Sequence, residues 1–395
     1  MSRNVFESGQ ITVRELPEII KFAKRHNRAV LILGPMGCGK SQVVKQTADS
    51  LFGKREDNLI DVRLSDKDPT DLSGLPIPVE GDDKKTRTVF AVPDFWPDDP
   101  EWEGIIFLDE LTHADNYLQK VAMQIMLDHK CGTYPFPKGS VFVAAGNRST
   151  DGAVLSALEA PLANRFIIVE VVSSAEVFIE DYAFLNGVHS SVIGYLKKIP
   201  SAIDNYEAME DIGCPSFATP RSWEVASDIL HDFDLGVISK ETARVLLQGA
   251  IGNTMAVEIW TYHTKKRNLP EIGQIMAGNC KEYTGPKQPD ILWILGSEGC
   301  IAIRNMMESA NISDSDLVTY VANFLDFLWE NFKDENRDFV FSVFMAMMKP
   351  NALGNALLIG KGRDKIMAQL IKAYPNLMKI VKEFGEEFSA ILANA

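Results

Sequence analysis

The glycine-rich segment at residues 34–41 constrains the fold of this chain more than any other part of its sequence. It reads Gly-Pro-Met-Gly-Cys-Gly-Lys-Ser and directly follows the apolar run 29–33. The run predicts a buried strand, and residues 40–51 predict a helix. The order of strand, glycine-rich loop and helix fits the G-x-x-x-x-G-K-[ST] phosphate-binding pattern, and the flanking elements disfavour a turn that matches by chance. The chain is therefore predicted to bind a nucleotide.

Each part of this loop has a predicted role toward phosphate. Glycines let backbone N–H groups surround phosphate oxygens, and the helix N-terminus adds partial positive charge. Lys40 is predicted to reach the β- and γ-phosphates, and the Ser41 hydroxyl to hold Mg²⁺. The predicted nucleotide-binding residues are Gly34, Pro35, Met36, Gly37, Cys38, Gly39, Lys40 and Ser41.

Two more apolar runs end in polar residues that suit phosphate chemistry. Residues 105–108 lead into Asp109 and Glu110. Asp109 is predicted to bind Mg²⁺, and Glu110 to polarise the attacking water as a general base. The alternative is a solvated acidic pair at a strand end. Asn147 follows the run 141–145; it either holds the attacking water or contacts the γ-phosphate, or it is an ordinary turn residue after Gly146.

The pattern of short apolar runs predicts the fold class. Strands expected at 29–33, 59–64, 104–108, 141–145 and 166–172 alternate with helical segments. This alternation predicts an α/β fold, a five-stranded parallel sheet with helices on both faces. Ligands of such sheets bind at the carboxyl ends of the strands, so the polar residues there should converge. Residues 76–79 and 86–92 predict a hairpin outside this sheet.

Strand patterns disappear after about residue 174 and helical periods replace them. Helices are expected at 175–185, from 220, and at 239–249, 253–266, 291–307, 313–331, 337–348, 364–373 and 375–392. We therefore divide the chain into a P-loop core (1–173), a helical lid (174–267) and a helical domain of unassigned role (268–395).

Composition and charge disfavour several functional classes. A net charge of −14 over 395 residues disfavours nucleic acid as a partner, because phosphate backbones are bound by clustered Lys and Arg. No apolar run is long enough to span a membrane, and the first residues lack the pattern of a signal peptide. The five cysteines form no C-x-x-C pair, which predicts free thiols and a cytoplasmic location.

The order of these motifs resembles that of the AAA+ ATPases of the MoxR type. The likeness rests on the P-loop, the Asp-Glu strand end, Ala-Ala-Gly-Asn at 144–147 and Pro-Leu-Ala-Asn-Arg-Phe at 161–166. Residues 71–74 resemble the helix-2 insert of that family, 132–139 its hairpin before the sensor 1 strand, and 218–224 its sensor 2 segment. The likeness covers about residues 10–235.

The resemblance implies functions that the residues alone do not. It implies ATP hydrolysis with Mg²⁺ in a homo-oligomer, a hexameric ring, that remodels or activates a protein partner, with a von Willebrand factor A-type protein as the expected partner. Asn147 matches sensor 1, Arg221 matches sensor 2, and Arg165 matches the arginine finger that reaches the γ-phosphate of a neighbouring subunit. Arg148 is either a second interface arginine or one partner of an ion pair.

Two other functional classes remain open from the sequence. One is a nucleic-acid motor or clamp-loader-like ATPase, which the acidic charge disfavours. The other is a nucleotide-gated binding switch with slow hydrolysis, which the presence of Glu110 disfavours. The choice of ATP over GTP rests on the resemblance, because no base-contacting residue can be identified.

Overall fold

The computed structural model describes residues 10–80, 82, 84–148, 166–206, 216–264, 269–285, 287–308, 312–348 and 369–370. The chain divides into two compact units, residues 1–173 and 174–395. In the second unit, helices on both sides of residue 267 contribute to one hydrophobic core. The separation of a lid from a C-terminal domain at that residue stays a prediction.

A six-stranded parallel sheet forms the centre of the first unit, which confirms the predicted α/β fold. The strand order is β1-β10-β2-β9-β6-β3. The strands are β1 (Gln10–Ile11), β2 (Ala29–Leu33), β3 (Leu59–Arg63), β6 (Glu103–Asp109), β9 (Gly139–Gly146) and β10 (Phe166–Val171). The sequence predicted the last five, whereas β1 is only two residues long and too short to show a pattern.

Alternating side chains of the central strands bury both faces of this sheet. Along β6, Ile106 and Leu108 belong to one hydrophobic cluster, and Ile105 and Phe107 belong to another. A strand covered on both faces is apolar at every position, which is why these runs lack a polar alternation.

In the described part of the first unit, four α-helices accompany the sheet: α1 (Leu16–His26), α2 (Lys40–Phe52), α3 (Pro69–Ser73) and α4 (Asn116–Asp128). Short 3₁₀ turns lie at Val13–Glu15, Leu64–Asp66 and Leu111–His113. Asp115 caps α4, and its side chain accepts hydrogen bonds from the N–H groups of Tyr117 and Leu118. Residues of α1 and α2 pack in one cluster, and residues of α4 in the other.

Two hairpins stand apart from the central sheet. The first pairs β4 (Leu75–Glu80) with β5 (Thr86–Ala91), close to the predicted bounds. The second pairs β7 (Lys130–Cys131) with β8 (Tyr134–Pro135) and so begins two residues before the hairpin segment 132–139 of the sequence analysis.

The described part of the second unit is helical. It contains α5 (Ala175–Val177), a π-helical segment (Phe178–Ala183), α6 (Phe184–Asn186), α7 (Ser190–Lys198), a 3₁₀ turn (Pro200–Ile203), α8 (Pro220–Asp234), α9 (Lys240–Ile251), α10 (Asn253–Thr264), α11 (Ile272–Met276), α12 (Pro289–Glu308), α13 (Asp314–Phe332) and α14 (Arg337–Met348). The sequence did not predict α7, whose residues 190–196 are all buried. The helices predicted at 364–373 and 375–392 lie outside the described residues, apart from 369–370.

None of the helices in the described ranges is long and apolar enough to cross a membrane. Cys38, Cys131, Cys280 and Cys300 are free thiols, as predicted, and Cys214 lies outside the described residues. Burial raises the pKa of the Cys131 thiol to about 11, so this side chain is a neutral core residue at physiological pH.

Candidate active site

The loop between β2 and α2 has the backbone shape that its glycines allow. Gly37 and Gly39 have φ angles of 70° and 97°, in the left-handed region that favours glycine. A Cβ on Gly34 would lie 2.9 Å from the carbonyl oxygen of Val171. Gly39 is the N-cap residue of α2 and has no side chain that could accept a hydrogen bond from the first turn. The N–H groups of that turn therefore suit a bound anion.

The Lys40 side chain is folded into this loop and is only 8% exposed. Its Nζ donates hydrogen bonds of 2.8 Å to the carbonyl oxygens of both Gly34 and Pro35. It also lies 3.5 Å from Oδ1 of Asn147 and 4.0 Å from Sγ of Cys38. The loop therefore encloses a positive charge, held by backbone carbonyls.

Ser41 and Asp109 meet beside the loop. Oγ of Ser41 donates a 2.7 Å hydrogen bond to Oδ2 of Asp109, although the two residues are 68 positions apart. Hydroxyl and carboxylate oxygens are the hard ligands that Mg²⁺ binds, usually one or two of them beside several waters. The donor set therefore fits Mg²⁺, and Ser41 and Asp109 are the residues that would hold it.

Glu110 has an uncommon backbone conformation for a residue that follows a strand. Its φ is 58°, in the left-handed region, and its N–H donates to Oδ1 of Asp109 at 2.8 Å. Such a conformation is uncommon for a residue other than glycine and is often found at functional sites. It turns the side chain out of the strand alternation, and the carboxylate is 39% exposed and accessible to water.

Arg63 contacts this carboxylate, and the sequence analysis did not identify it. Arg63 ends β3, where it is the register partner of Asp109 on β6. Its Nε lies 3.6 Å from Oε1 of Glu110, in an ion pair whose two side chains are both well exposed. Strand register brings this arginine to the site, and register is not visible in a single sequence without knowledge of the strand order.

We expect the substitution Arg63→Ala to raise basal nucleotide hydrolysis about 1.5- to 5-fold, because an exposed ion pair is worth about 0.2–1 kcal/mol and its removal frees the Glu110 carboxylate to contact the attacking water. The measurement is steady-state phosphate release. Arg55→Ala is the matched control, since Arg55 pairs with Asp57 and donates to the carbonyl oxygen of Glu103, at the start of β6 rather than its end. A lower rate in the Arg63 variant would contradict this interpretation of the pair.

Asn147 is buried and held at the end of β9. Its N–H donates a 2.9 Å hydrogen bond to Oγ1 of Thr112, in the 3₁₀ turn that follows Glu110. A Cβ on Gly146 would lie 2.4 Å from Cγ2 of this threonine, so the close contact requires glycine. Thr112, a second residue missed in the sequence, thus ties the ends of two strands together and helps fix Asn147 near Lys40.

The acidic groups at this edge influence one another. Partial burial and the nearby Asp109 carboxylate raise the pKa of Asp61 on β3, while Arg63 and Lys45 act in the opposite direction. Asp61 and Asp109 therefore place two carboxylates near this edge, and a divalent cation would offset their charge.

The three arginines singled out in the sequence have different surroundings. Arg148 pairs with Glu170 at 3.6 Å, which matches the ion-pair alternative, and Gln10 donates to the same carboxylate oxygen. Arg221 is exposed in the first turn of α8, in the second unit. Arg165 lies outside the described residues.

One cluster of side chains in the second unit has ligand atoms as closely spaced as those of a metal site, but its hydrogen bonds oppose metal binding. Among the described residues, His189, Asp234 and His263 are the group whose ligand atoms lie within 4.8 Å of one another. The N–H of Ser191 donates to Nδ1 of His189 at 3.1 Å, so the proton of a neutral ring is on Nε2, which faces Asp234 Oδ2 at 3.1 Å. A metal on Nε2 would require that proton on Nδ1, opposite another N–H donor. These residues instead form a hydrogen-bonded clamp between α7, α8 and α10.

Comparisons with known proteins leave the family open. No protein-family model and no curated protein matches the chain. Among solved structures, a mutant form of RuvB from Thermotoga maritima is 14% identical, with a TM-score of 0.34, over 90% of this chain and 93% of that one. NtrX from Brucella abortus is also 14% identical, with a TM-score of 0.30, over 91% of this chain and 67% of that one. Likenesses at this level do not assign the chain to a family.

Proposed function

We propose that this chain is a Mg²⁺-dependent ATPase of the AAA+ type, similar to the MoxR proteins, that uses hydrolysis to remodel a protein partner. The observation that supports this proposal best is that the side chains predicted for phosphate binding, Mg²⁺ binding and water activation lie together at the carboxyl end of the sheet. Lys40 lies inside the glycine loop, Ser41 is bonded to Asp109, and the exposed Glu110 carboxylate follows directly.

The chemistry follows from what these side chains can do. Loop N–H groups and the Lys40 ammonium bind the β- and γ-phosphates and neutralise their charge. Mg²⁺, held by Ser41 and Asp109, supplies further charge neutralisation when bound. Glu110 accepts a proton from the attacking water, and the fixed Asn147 amide orients that water or the γ-phosphate. The Arg63 pair competes for the Glu110 carboxylate and restrains it.

ATP is the proposed nucleotide, and the resemblance to AAA+ proteins is what favours it over GTP. The same resemblance supports a ring in which Arg165 of one subunit completes the site of its neighbour. It also supports a von Willebrand factor A-type protein as the partner. The acidic chain favours a protein partner over nucleic acid, since it lacks the excess of Lys and Arg that phosphate backbones require.

Mixing two inactive variants tests the shared site. We expect Arg165→Ala and Glu110→Gln proteins to be inactive alone and to regain activity when mixed. In a random equimolar ring, about a quarter of the interfaces combine a native Glu110 with a native Arg165 from the next subunit. The expected rate of phosphate release is therefore about a quarter of that of the native protein.

A second mixture provides the control. Lys40 and Glu110 both lie in the half of the site that one subunit contributes. A mixture of Lys40→Ala and Glu110→Gln subunits therefore never combines a native Lys40 with a native Glu110 in one site. This mixture should stay inactive. No recovery in the Arg165 mixture, with both proteins folded and co-assembled, would contradict a finger supplied by the neighbour.

A further inference from the structure

The β4–β5 hairpin exposes apolar side chains on both of its strands. It forms a two-stranded sheet of its own, and every residue of β4 is exposed. Leu75 is 62% exposed, and Ile77, Val79 and Val89 are 46–48% exposed. Alternation and register place these four side chains on one face, where Ile77 lies directly opposite Val89. A two-stranded ribbon with a bare apolar face is marginal in water and is stabilised by a further strand.

The two outer edges of this hairpin differ. Pro76 and Pro78 have no N–H, so they fit the ladder at positions whose backbone points away from β5. Their register partners, Phe90 and Thr88, then direct their own N–H and C=O groups away from β4. The two prolines therefore block the β4 edge against another strand, whereas the β5 edge keeps alternating donors and acceptors.

We propose that the β5 edge binds an extended segment of the protein partner as a third, antiparallel strand. This inference rests on the proposed function and adds to it the way in which a partner is held. Main-chain hydrogen bonds to Thr88 and to the other outward-facing positions, Thr86 and Phe90, would supply affinity for any extended segment, and alternate side chains would supply selectivity.

The chemistry of the segment follows from the hairpin. Alternate apolar side chains of a third strand would cover the face that carries Val89. Residues 80–87 carry three acidic side chains, Glu80, Asp82 and Asp83, beside three basic ones, Lys84, Lys85 and Arg87, so the turn does not select the charge of the segment. The best partner is therefore an unfolded segment that alternates β-branched and polar residues.

The test uses a fluorescein-labelled peptide of sequence Glu-Thr-Val-Thr-Val-Thr-Glu and fluorescence anisotropy without nucleotide. When the Val side chains of the peptide lie on the same face as Val89, the backbone N–H groups of its Thr residues point toward β5 and donate to it. N-methylation of the Thr nitrogens should therefore abolish binding, while N-methylation of the Val nitrogens should leave it within about threefold. Because both peptides meet the same protein, this comparison does not depend on how any variant folds.

Thr88→Pro tests the same edge from the protein. It removes one outward N–H and leaves the inner ladder, as Pro78 does on the opposite strand, so we expect peptide affinity to fall about tenfold. Thr88→Val keeps the N–H and is the matched control. Basal ATP hydrolysis should be unchanged in both, which separates this proposal from the ATPase itself.

Two results would overturn the proposal. One is equal binding of the two N-methylated peptides, or no binding of the parent peptide. The other is a smaller particle mass for Thr88→Pro than for Thr88→Val without peptide, which would assign the β5 edge to contact with a second copy of this chain.

Discussion

Lys40→Ala is expected to lose ATP binding by about 100-fold or more. The ammonium makes two hydrogen bonds inside the loop and would exchange these carbonyl partners for phosphate oxygens. Charged hydrogen bonds are worth about 1.5–3 kcal/mol each, so losing two corresponds to a factor of about 10² to 10⁴ in affinity. Isothermal titration calorimetry with ATP and Mg²⁺ gives the dissociation constant directly.

Lys45→Ala provides the control for this experiment. Lys45 lies on the same helix and carries the same charge, but its side chain is exposed. Its removal should change affinity by less than about threefold, since exposed charges are screened by solvent. Because Lys40 also satisfies two carbonyl oxygens, thermal unfolding of both variants must show that the fold persists. Native affinity in a folded Lys40→Ala protein would contradict the phosphate-binding role.

Glu110→Gln is expected to keep ATP bound while hydrolysing it about 10² to 10⁴ times more slowly. Glutamine keeps the size and the hydrogen-bonding reach of the side chain, but it cannot accept a proton from water. The backbone at this position is already strained, and Gln requires the same left-handed conformation, so the loop geometry should be unaffected. Single-turnover hydrolysis separates the chemical step from nucleotide binding.

Glu103→Gln makes the same chemical change at the opposite end of the same strand. Glu103 is exposed and pairs with Lys24 at 3.8 Å, away from the glycine loop at the carboxyl end of the sheet. This variant should hydrolyse ATP at the native rate. Equal rates in the Glu110 and Glu103 variants would assign the base to another residue.

Local sequence patterns predicted the elements whose conformation depends on residues close to one another in the chain. The run 29–33, the glycine loop and the helix from Lys40 lie where they were expected, because each has its own periodicity or turn chemistry. The convergence of Lys40, Asp109 and Asn147 followed from one rule, that parallel strands present their carboxyl ends at one edge. Nζ of Lys40 lies 3.5 Å from Oδ1 of Asn147, and Oγ of Ser41 lies 2.7 Å from Oδ2 of Asp109, in agreement with that expectation.

Features that depend on register or on burial on all sides were not predicted. Arg63 reaches Glu110 because β3 pairs with β6, a long-range pairing that a single sequence does not reveal. The residue type does not reveal the positive φ of Glu110, since glycine or asparagine would be the usual residue in this conformation. Residues 190–196 of helix α7 are all buried, including two serines, so residue type does not separate a buried face from a solvent-facing one.

The most direct test of the central claim is phosphate release from ATP by the purified native protein, beside the Glu110→Gln variant in the same assay. We expect Mg²⁺-dependent release by the native protein that EDTA abolishes, with the variant at background. No release from either ATP or GTP by folded native protein, across protein concentrations high enough for assembly, would contradict the assignment of this site to nucleotide hydrolysis.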